Sequence, residues 1–268
     1  MLVAAPASSA NCGPGFDVLG FAFAKYFYLS TEAKEGFTKI TEGSKRFEFK
    51  SYKDLGGKSD TLFYKSEIDP EGKGLGSSSA ANTAGAYLAL MEQELAPEEA
   101  KNLTYRHGFI QERHGDNVGP CVYGGLVIAN ETHVEKVSLK NIEALYVWVS
   151  DGASKTAENR TQLNLEVDLK DAVHNINSAA RFVLACERGE LHKLKEACKD
   201  KLHQDKRLEN SPVSKKMYDL AYESGAAAVW LSGSGPSIAS IFPNDVIGPE
   251  GFVKIPIDFD GVKIIDEN

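Results

Sequence analysis

The stretch that most restricts how this chain can fold is Gly74-Leu75-Gly76-Ser77-Ser78-Ser79-Ala80-Ala81, which runs straight into Asn82-Thr83-Ala84-Gly85-Ala86. Two glycines remove side chains where a backbone turns tightly and something must come close. The small-residue run behind them reads as a helix. A glycine turn that feeds a helix leaves the first N–H groups without intrahelical partners, at the positive end of the macrodipole, and so makes an anion site. Phosphate is the natural ligand, with Ser77, Ser78 and Ser79 adding hydroxyls toward phosphate oxygens or a metal. The plainer alternative is a serine-capped helix after a glycine turn. The stretch lacks the Lys-Ser/Thr ending of a P-loop and the third glycine of a dinucleotide fingerprint.

Composition narrows the partners. At 268 residues and 42% apolar, the chain can bury one large core or two modest ones, and two closely packed domains are expected. A net charge of −8 argues against nucleic acid and anionic membranes. A phosphate site in such a protein has to be built locally, from backbone amides, Mg²⁺ and a few cationic side chains. No apolar run reaches membrane-spanning length, and Met1–Ala10 lacks the basic and apolar regions of a signal peptide, so a cytoplasmic location is expected. Cys12, Cys121, Cys186 and Cys198 are scattered without metal-site or disulfide-framework spacing.

In chain order, Pro6–Gly20 reads as a shaped loop with Asn11 and Asp17 at its polar tips, followed by a strand over Phe21–Thr31. A hairpin is expected from Thr38–Ile40 and Arg46–Lys50, then a short helix opening at Ser59–Lys65. The small-residue helix should reach Leu95, and Pro97 starts another. His114–Gly125 is a second polar, glycine-rich loop leading into a strand at Leu126–Ala129. Composition changes over Asn130–Asn141, which divides the chain into domains at 1–135 and 136–268. Beyond it come a strand at Leu145–Ser150, helices over Asp171–Arg188, Glu190–Lys201 and Ser211–Ser224, and strands Ala226–Leu231 and Ile238–Phe242. The two strands are separated by Ser232-Gly233-Ser234-Gly235-Pro236-Ser237. The alternating tail, Phe252–Asp266, completes a sheet.

Three glycine and serine loops, at Pro6–Gly20, Gly74–Ala81 and Ser232–Ser237, are hard to explain as independent accidents. Together and in this order they resemble the three motifs of the GHMP kinases, small-molecule kinases acting on galactose, homoserine, mevalonate and phosphomevalonate. Within that group, Ser8-Ser9-Ala10-Asn11-Cys12-Gly13-Pro14-Gly15-Phe16-Asp17-Val18-Leu19-Gly20 and the segment from His114 to Gly125 resemble the homoserine kinases. The resemblance implies an α+β fold of two domains, the first like ribosomal protein S5 domain 2 and the second ferredoxin-like, with the site in the cleft between. It implies ATP-dependent phosphorylation of the L-homoserine hydroxyl to O-phospho-L-homoserine, a step of threonine biosynthesis. Lys73, Gly74, Leu75, Gly76, Ser77, Ser78, Ser79 and Ala80 would wrap the triphosphate, supported by Ser234 from the other domain. Asn11, Asp17 and Asn117 would hold the amino and hydroxyl ends of the acceptor, with Asp17 the carboxylate for its ammonium. Arg160 and Arg207 would grip its carboxylate, since a guanidinium binds carboxylate bidentately. His203 also falls at a family position, where a structural role is the plainer expectation.

Phosphoryl transfer asks the protein mostly for positioning and charge neutralisation. Direct transfer is therefore expected, with Asn117, Arg160 and Arg207 completing the site. Two positions depart from the family pattern. The Mg²⁺-binding glutamate of family members is replaced by Arg106, which leaves Ser79 and Glu112 as the candidate metal ligands. Thr61-Leu62-Phe63 stands at the expected adenine pocket in place of Asn-Leu-Val. Two alternatives stay open: a GHMP kinase for another alcohol, such as mevalonate or shikimate, and a catalytically silent relative that binds nucleotide. A homodimer is compatible with the sequence.

Overall fold

The structure is a computed structural model and describes residues 1–68, 72–152 and 166–265. Two long antiparallel strands, β1 (Leu2–Ala10) and β2 (Leu19–Ser30), form the spine of the first sheet. Their small and aromatic side chains are nearly all buried, as a continuous apolar run bounded by turn residues predicts. The register slips between Pro6 and Ala7, where proline has no N–H to give the ladder. The sheet has seven strands, adding β3 (Thr38–Thr41), β4 (Thr61–Ser66), β5 (Leu126–Ala129), β6 (Val134–Val137) and β11 (Lys263–Ile264), in the order β11-β1-β2-β4-β3. The start of β2 pairs with β5 and its end with β4, and β6 extends the sheet from β5.

Helices α1 (Phe47–Asp54), α2 (Ser77–Met91), α3 (Pro97–Glu112) and α4 (Val118–Tyr123) pack on this sheet, with α2 touching β1, β2 and the other three helices. A helix surrounded in this way must be small and apolar on all sides. In α2 everything from Ser79 to Leu90 is buried.

A second, antiparallel sheet has the order β10-β7-β9-β8, from β7 (Ala144–Trp148), β8 (Ala228–Leu231), β9 (Ile238–Ile241) and β10 (Val253–Pro256). Successive side chains of a strand point to opposite faces, and here the alternation serves two cores. Leu145, Val147, Ala228, Trp230, Ala239 and Ile241 join the core of the first sheet. Val229, Leu231 and Ile238 face a smaller core with Leu208 and Ala221, beneath α7 (Gln204–Glu209) and α8 (Pro212–Glu223). The remaining helices are α5 (Leu169–Arg188) and the single turn α6 (Leu194–Ala197). The expected two-domain α+β arrangement is present. Sheet membership changes between Val137 and Ala144, and the tail then serves both sheets, β10 the second and β11 the first.

Several local expectations are corrected: Pro6–Ala10 of the first expected loop lie in β1 and Leu19–Gly20 in β2, and residues 118–123 of the loop expected at His114–Gly125 are helix α4. Arg46–Lys50 belongs to no hairpin: residues 47–54 are helix α1, and β3 pairs instead with β4, Thr38 opposite Tyr64 and Thr41 opposite Thr61. Phe49 and Tyr52, one helical turn apart, bury themselves against α2. Ser59–Lys65 is not a helix start. Ser59 closes a local turn with Thr61, and the β-branched and aromatic run Thr61-Leu62-Phe63-Tyr64 is a strand held between β2 and β3. The helix expected over Glu190–Lys201 breaks into a 3₁₀ turn at Leu191–Lys193 and α6, and the buried Asp200 beyond it starts the turn into α7. Helix α2 stops at Met91 rather than Leu95.

Candidate active site

The N-terminus of α2 is capped by Gly76 in the left-handed region, φ 65°, and no side chain caps the first turn. The serine-capped alternative is therefore not what the chain adopts. Gly76 is obligatory for space as well as for φ, because a Cβ there would lie 1.9 Å from Ser8 Oγ. At Gly74 a Cβ would meet the carbonyl oxygen of Ser232 at 2.3 Å. The two glycines thus let the phosphate-type loop lie directly on β1 and on the loop between β8 and β9.

A directional hydrogen-bond chain ties these three segments together. Trp230 Nε1, which can only donate, reaches Ser9 Oγ at 2.9 Å. Ser9 then gives its proton to Ser232 Oγ at 2.7 Å, and Ser232 donates to the Gly74 carbonyl at 2.5 Å. Asn11 Nδ2 donates to the Gly233 carbonyl at 2.8 Å, while the Leu75 carbonyl accepts from Ser8 N at 3.2 Å. The three loops that the sequence singled out are one assembly. Ser234 stands half-buried on it, and Lys73 reaches over to donate to the carbonyl of Ser150, two residues beyond β7.

The β1–β2 loop carries the acceptor-type residues in strained conformations: Asn11, Cys12 and Asp17 have φ of 72°, 47° and 61°. Such angles in non-glycine residues persist only where the surroundings enforce them. Here Asn11 Oδ1 accepts from Asp17 N at 3.0 Å. Facing this loop, α3 ends at Glu112 and the chain turns into α4 through His114, Asp116 and Asn117. Asn117 Oδ1 accepts from Ser8 Oγ at 2.9 Å. His114 Nδ1 lies 2.7 Å from Asp116 Oδ1, and the donor atoms of Asp17, His114 and Asp116 all fall within 4.8 Å of one another. Burial would push the His114 pKa down, but Asp116, Glu112 and Asp17 outweigh it and raise it. The cluster of two carboxylates around one imidazole suits a cationic group.

Glu112 Oε1 accepts from Ser79 Oγ at 2.5 Å, so the two candidate metal ligands meet at the foot of α2. Burial raises the Glu112 pKa to about 7, against the Ser79 hydrogen bond and the nearby His114. Arg106 lies on the exposed side of α3, far round the helix from Glu112.

From the second half of the chain comes Arg207, on α7 and buried. Its Nη1 reaches Gly233 O at 3.3 Å and His203 Nδ1 at 3.1 Å, and its guanidinium lies over the Phe16 ring at 5.5 Å. His203 Nε2 lies 3.0 Å from the Gly13 carbonyl. These partners fix the tautomer: Nε2 donates to Gly13 and Nδ1 accepts from Arg207. His203 is therefore neutral, and burial followed by the Arg207 charge lowers its pKa despite Asp200. Arg160 falls in 153–165, outside the described residues. Sequence reasoning missed Ser8, Ser9, Ser232, Asn175 and Asp200; the serines lay inside quoted motifs, but nothing local marked the last two.

Residues 41–125 match the model of the GHMP kinases N terminal domain and residues 182–248 that of GHMP kinases C terminal. A homoserine kinase of Clostridium beijerinckii is 34% identical over 266 residues, covering 89% of this chain and 85% of its own. The chain belongs to the GHMP kinases. One from Moorella thermoacetica, also a homoserine kinase, is 34% identical across 88% of this chain and 86% of its own. The solved homoserine kinase of Cytophaga hutchinsonii superposes with a TM-score of 0.79 at 22% identity, covering 99% of this chain and 97% of that one. The Methanococcus jannaschii mevalonate kinase superposes at 0.66 with 15% identity, over 96% and 98% of the two chains. These superpositions establish the two-domain GHMP fold and do not by themselves choose an acceptor. As a GHMP kinase the chain transfers a phosphoryl group from ATP to a hydroxyl. Its α2 terminus, without a side-chain cap, with serines on the first turn and glycines where side chains would intrude, fits a triphosphate. Among the described residues, this kinase has no helix long and apolar enough to cross a membrane.

Proposed function

We propose that this GHMP kinase phosphorylates the hydroxyl of L-homoserine, forming O-phospho-L-homoserine for threonine biosynthesis. The supporting observation is that a carboxylate cluster and a buried guanidinium converge on one loop. Asp17, with His114 and Asp116 beside it, suits an ammonium, and Arg207 suits a carboxylate across the same β1–β2 loop. An acceptor with both groups is an amino acid, whereas mevalonate has no ammonium for Asp17. The relatives named homoserine kinase at 34% identity over most of both chains support the same acceptor. Asn11 and Asn117 hold the remaining polar ends, and Arg160 is proposed as the second guanidinium.

Lys73, Gly74, Leu75, Gly76, Ser77, Ser78, Ser79 and Ala80 hold the triphosphate through backbone N–H groups, hydroxyls and the lysine charge. Ser234 and its glycine neighbours press on that loop from the other domain. Ser79 and Glu112 offer the paired hard oxygen donors that Mg²⁺ prefers, and the cation would neutralise phosphate charge as it moves to the acceptor. Transfer is direct: the site orients the acceptor hydroxyl near Asn117 in line with the terminal phosphate, and no side chain is assigned as general base. The deciding assay is ADP formation from ATP and Mg²⁺ with L-homoserine, mevalonate, shikimate or no acceptor. A homoserine-dependent rate well above the others is expected. A faster rate with mevalonate would replace the acceptor assignment, and nucleotide binding without turnover on any acceptor would identify a silent relative.

A further inference from the structure

We infer that Asn175 and Asp200 are positioning residues for the acceptor, a buried amide–carboxylate pair that locks the β1–β2 loop onto the helix bearing Arg207. The inference rests on reading that loop and Arg207 as the acceptor site. Neither residue belongs to a glycine motif, and they come from different elements, Asn175 from α5 and Asp200 from the turn before α7.

Asp200 is buried, and its carboxylate accepts from four donors of the protein. Oδ1 accepts from Asn175 Nδ2 at 2.7 Å and Leu202 N at 3.1 Å, and Oδ2 from His203 N at 2.8 Å and Gln204 N at 2.7 Å. These bonds fold residues 200–204 into the turn that launches α7. Asn175 Oδ1 accepts from Lys201 N at 2.8 Å, fastening the same turn from the other side. A buried carboxylate is tolerated when its lone pairs are filled in this way.

The second amide hydrogen of Asn175 goes elsewhere. Its Nδ2 donates to the Pro14 carbonyl at 3.1 Å, one residue from the Gly13 carbonyl that His203 holds at 3.0 Å. Two consecutive carbonyls of the strained loop are therefore gripped by one network. The same network sets His203, and His203 sets Arg207. Asn11 and Asp17 on the loop and Arg207 on the helix thus reach the acceptor from parts of the chain whose relative placement runs through Asn175 and Asp200. Small misplacement of reacting groups is costly, about a hundredfold for roughly an ångström.

Asn175→Ser shortens the side chain and loses the donation to Pro14. Hydrogen exchange at the amides of Cys12, Gly13 and Gly15–Asp17 should rise severalfold while that at 75–80 stays unchanged. The KM for L-homoserine should rise at least about tenfold, with the KM for ATP within about twofold of wild type. Asn175→Asp sets two carboxylates against each other and should lower the melting temperature. Adding Asp200→Asn restores an amide–carboxylate pair with the roles exchanged. Stability should return only in part, because an amide nitrogen at 200 cannot accept from Leu202 N as the carboxylate does, and homoserine KM should stay high because residue 175 still has no N–H for Pro14. The inference is overturned if Asn175→Ser leaves both loop exchange and homoserine KM unchanged. It is equally overturned if both KM values and both loops change together, or if the double exchange restores homoserine KM along with stability. A wild-type enzyme without homoserine-dependent turnover would sink the acceptor assignment alone, and exchange at the same loop amides would then decide the locking role.

Discussion

Replacing Glu112 with Gln should make the nucleotide-free protein more stable at neutral and alkaline pH. Burial raises the Glu112 pKa from 4.5 to about 7, and each unit corresponds to about 1.4 kcal/mol. Below pH 4.5 the carboxyl is protonated in both folded and unfolded chains, so it costs nothing. As pH climbs through the interval from 4.5 to 7, the unfolded chain ionises first and the folded state falls behind; above 7 the penalty is complete. Its ceiling is about 3 kcal/mol, and because the residue keeps some contact with solvent the expected value is about 1–2 kcal/mol. Glu112→Gln keeps the acceptor oxygen for Ser79 and removes the titration. Thermal melts should coincide near pH 4.5 and separate by several degrees in favour of the variant at pH 8. Mg²⁺ and ATP should reverse the order, because an ionised Glu112 is what would hold the cation. Binding of preformed MgATP should therefore release more protons at pH 6 than at pH 8, and the wild type should release more than the Gln variant, the difference being the share of Glu112. Calorimetry in buffers of different ionisation enthalpy reads that difference directly. A Gln variant less stable than wild type at pH 8 without nucleotide, or no proton release at pH 6, would refute the reasoning.

Three further outcomes follow from the geometry. Gly76→Ala forces a Cβ onto Ser8 Oγ at a left-handed φ, so the KM for ATP should rise at least about tenfold, with a stability loss of about 1–2 kcal/mol; unchanged steady-state kinetics would contradict the close approach. Asn117→Ala should cut turnover by about a hundredfold while ATP affinity, measured by equilibrium binding, stays close to wild type. His203 has a lowered pKa when folded, so its contribution to stability is full above the unfolded value of about 6.5 and is lost as pH falls below it. Urea unfolding of His203→Gln should accordingly show a shallower decline of stability between pH 6.5 and 5 than wild type.

What the sequence reveals divides along a physical line. Glycine loops and helix ends are local: Gly76 needs its φ, Gly189 closes α5 in a left-handed cap, and Pro97 opens its helix. All could be read in place. The strand at Thr61–Ser66 was mistaken for a helix because its identity comes from neighbours on both sides, β2 and β3, which are remote in sequence. Arg46–Lys50 failed the same way, since the helical spacing of Phe49 and Tyr52 counts only once α2 is beside them. In the site, each motif could be recognised, but their union through Trp230, Ser9, Ser232 and Gly74 depends on side chains meeting across the whole chain. Asn175 and Asp200 were invisible because neither has a local signature.

The pairing of β11 with β1 has a consequence for how the chain is made. Val3 lies opposite Ile264, and Ile265 N donates to the Leu2 carbonyl, so β1 waits to be covered on that side by a strand made about 260 residues later. Until then the outer edge of β1 offers unpaired backbone groups to any passing strand. Contacts this distant also slow folding, because a long loop must close before they form. A nascent chain stalled before residue 263 would carry the complete Gly74–Ala80 loop beside an open, sticky sheet. That intermediate is where chaperone binding and aggregation during synthesis should concentrate.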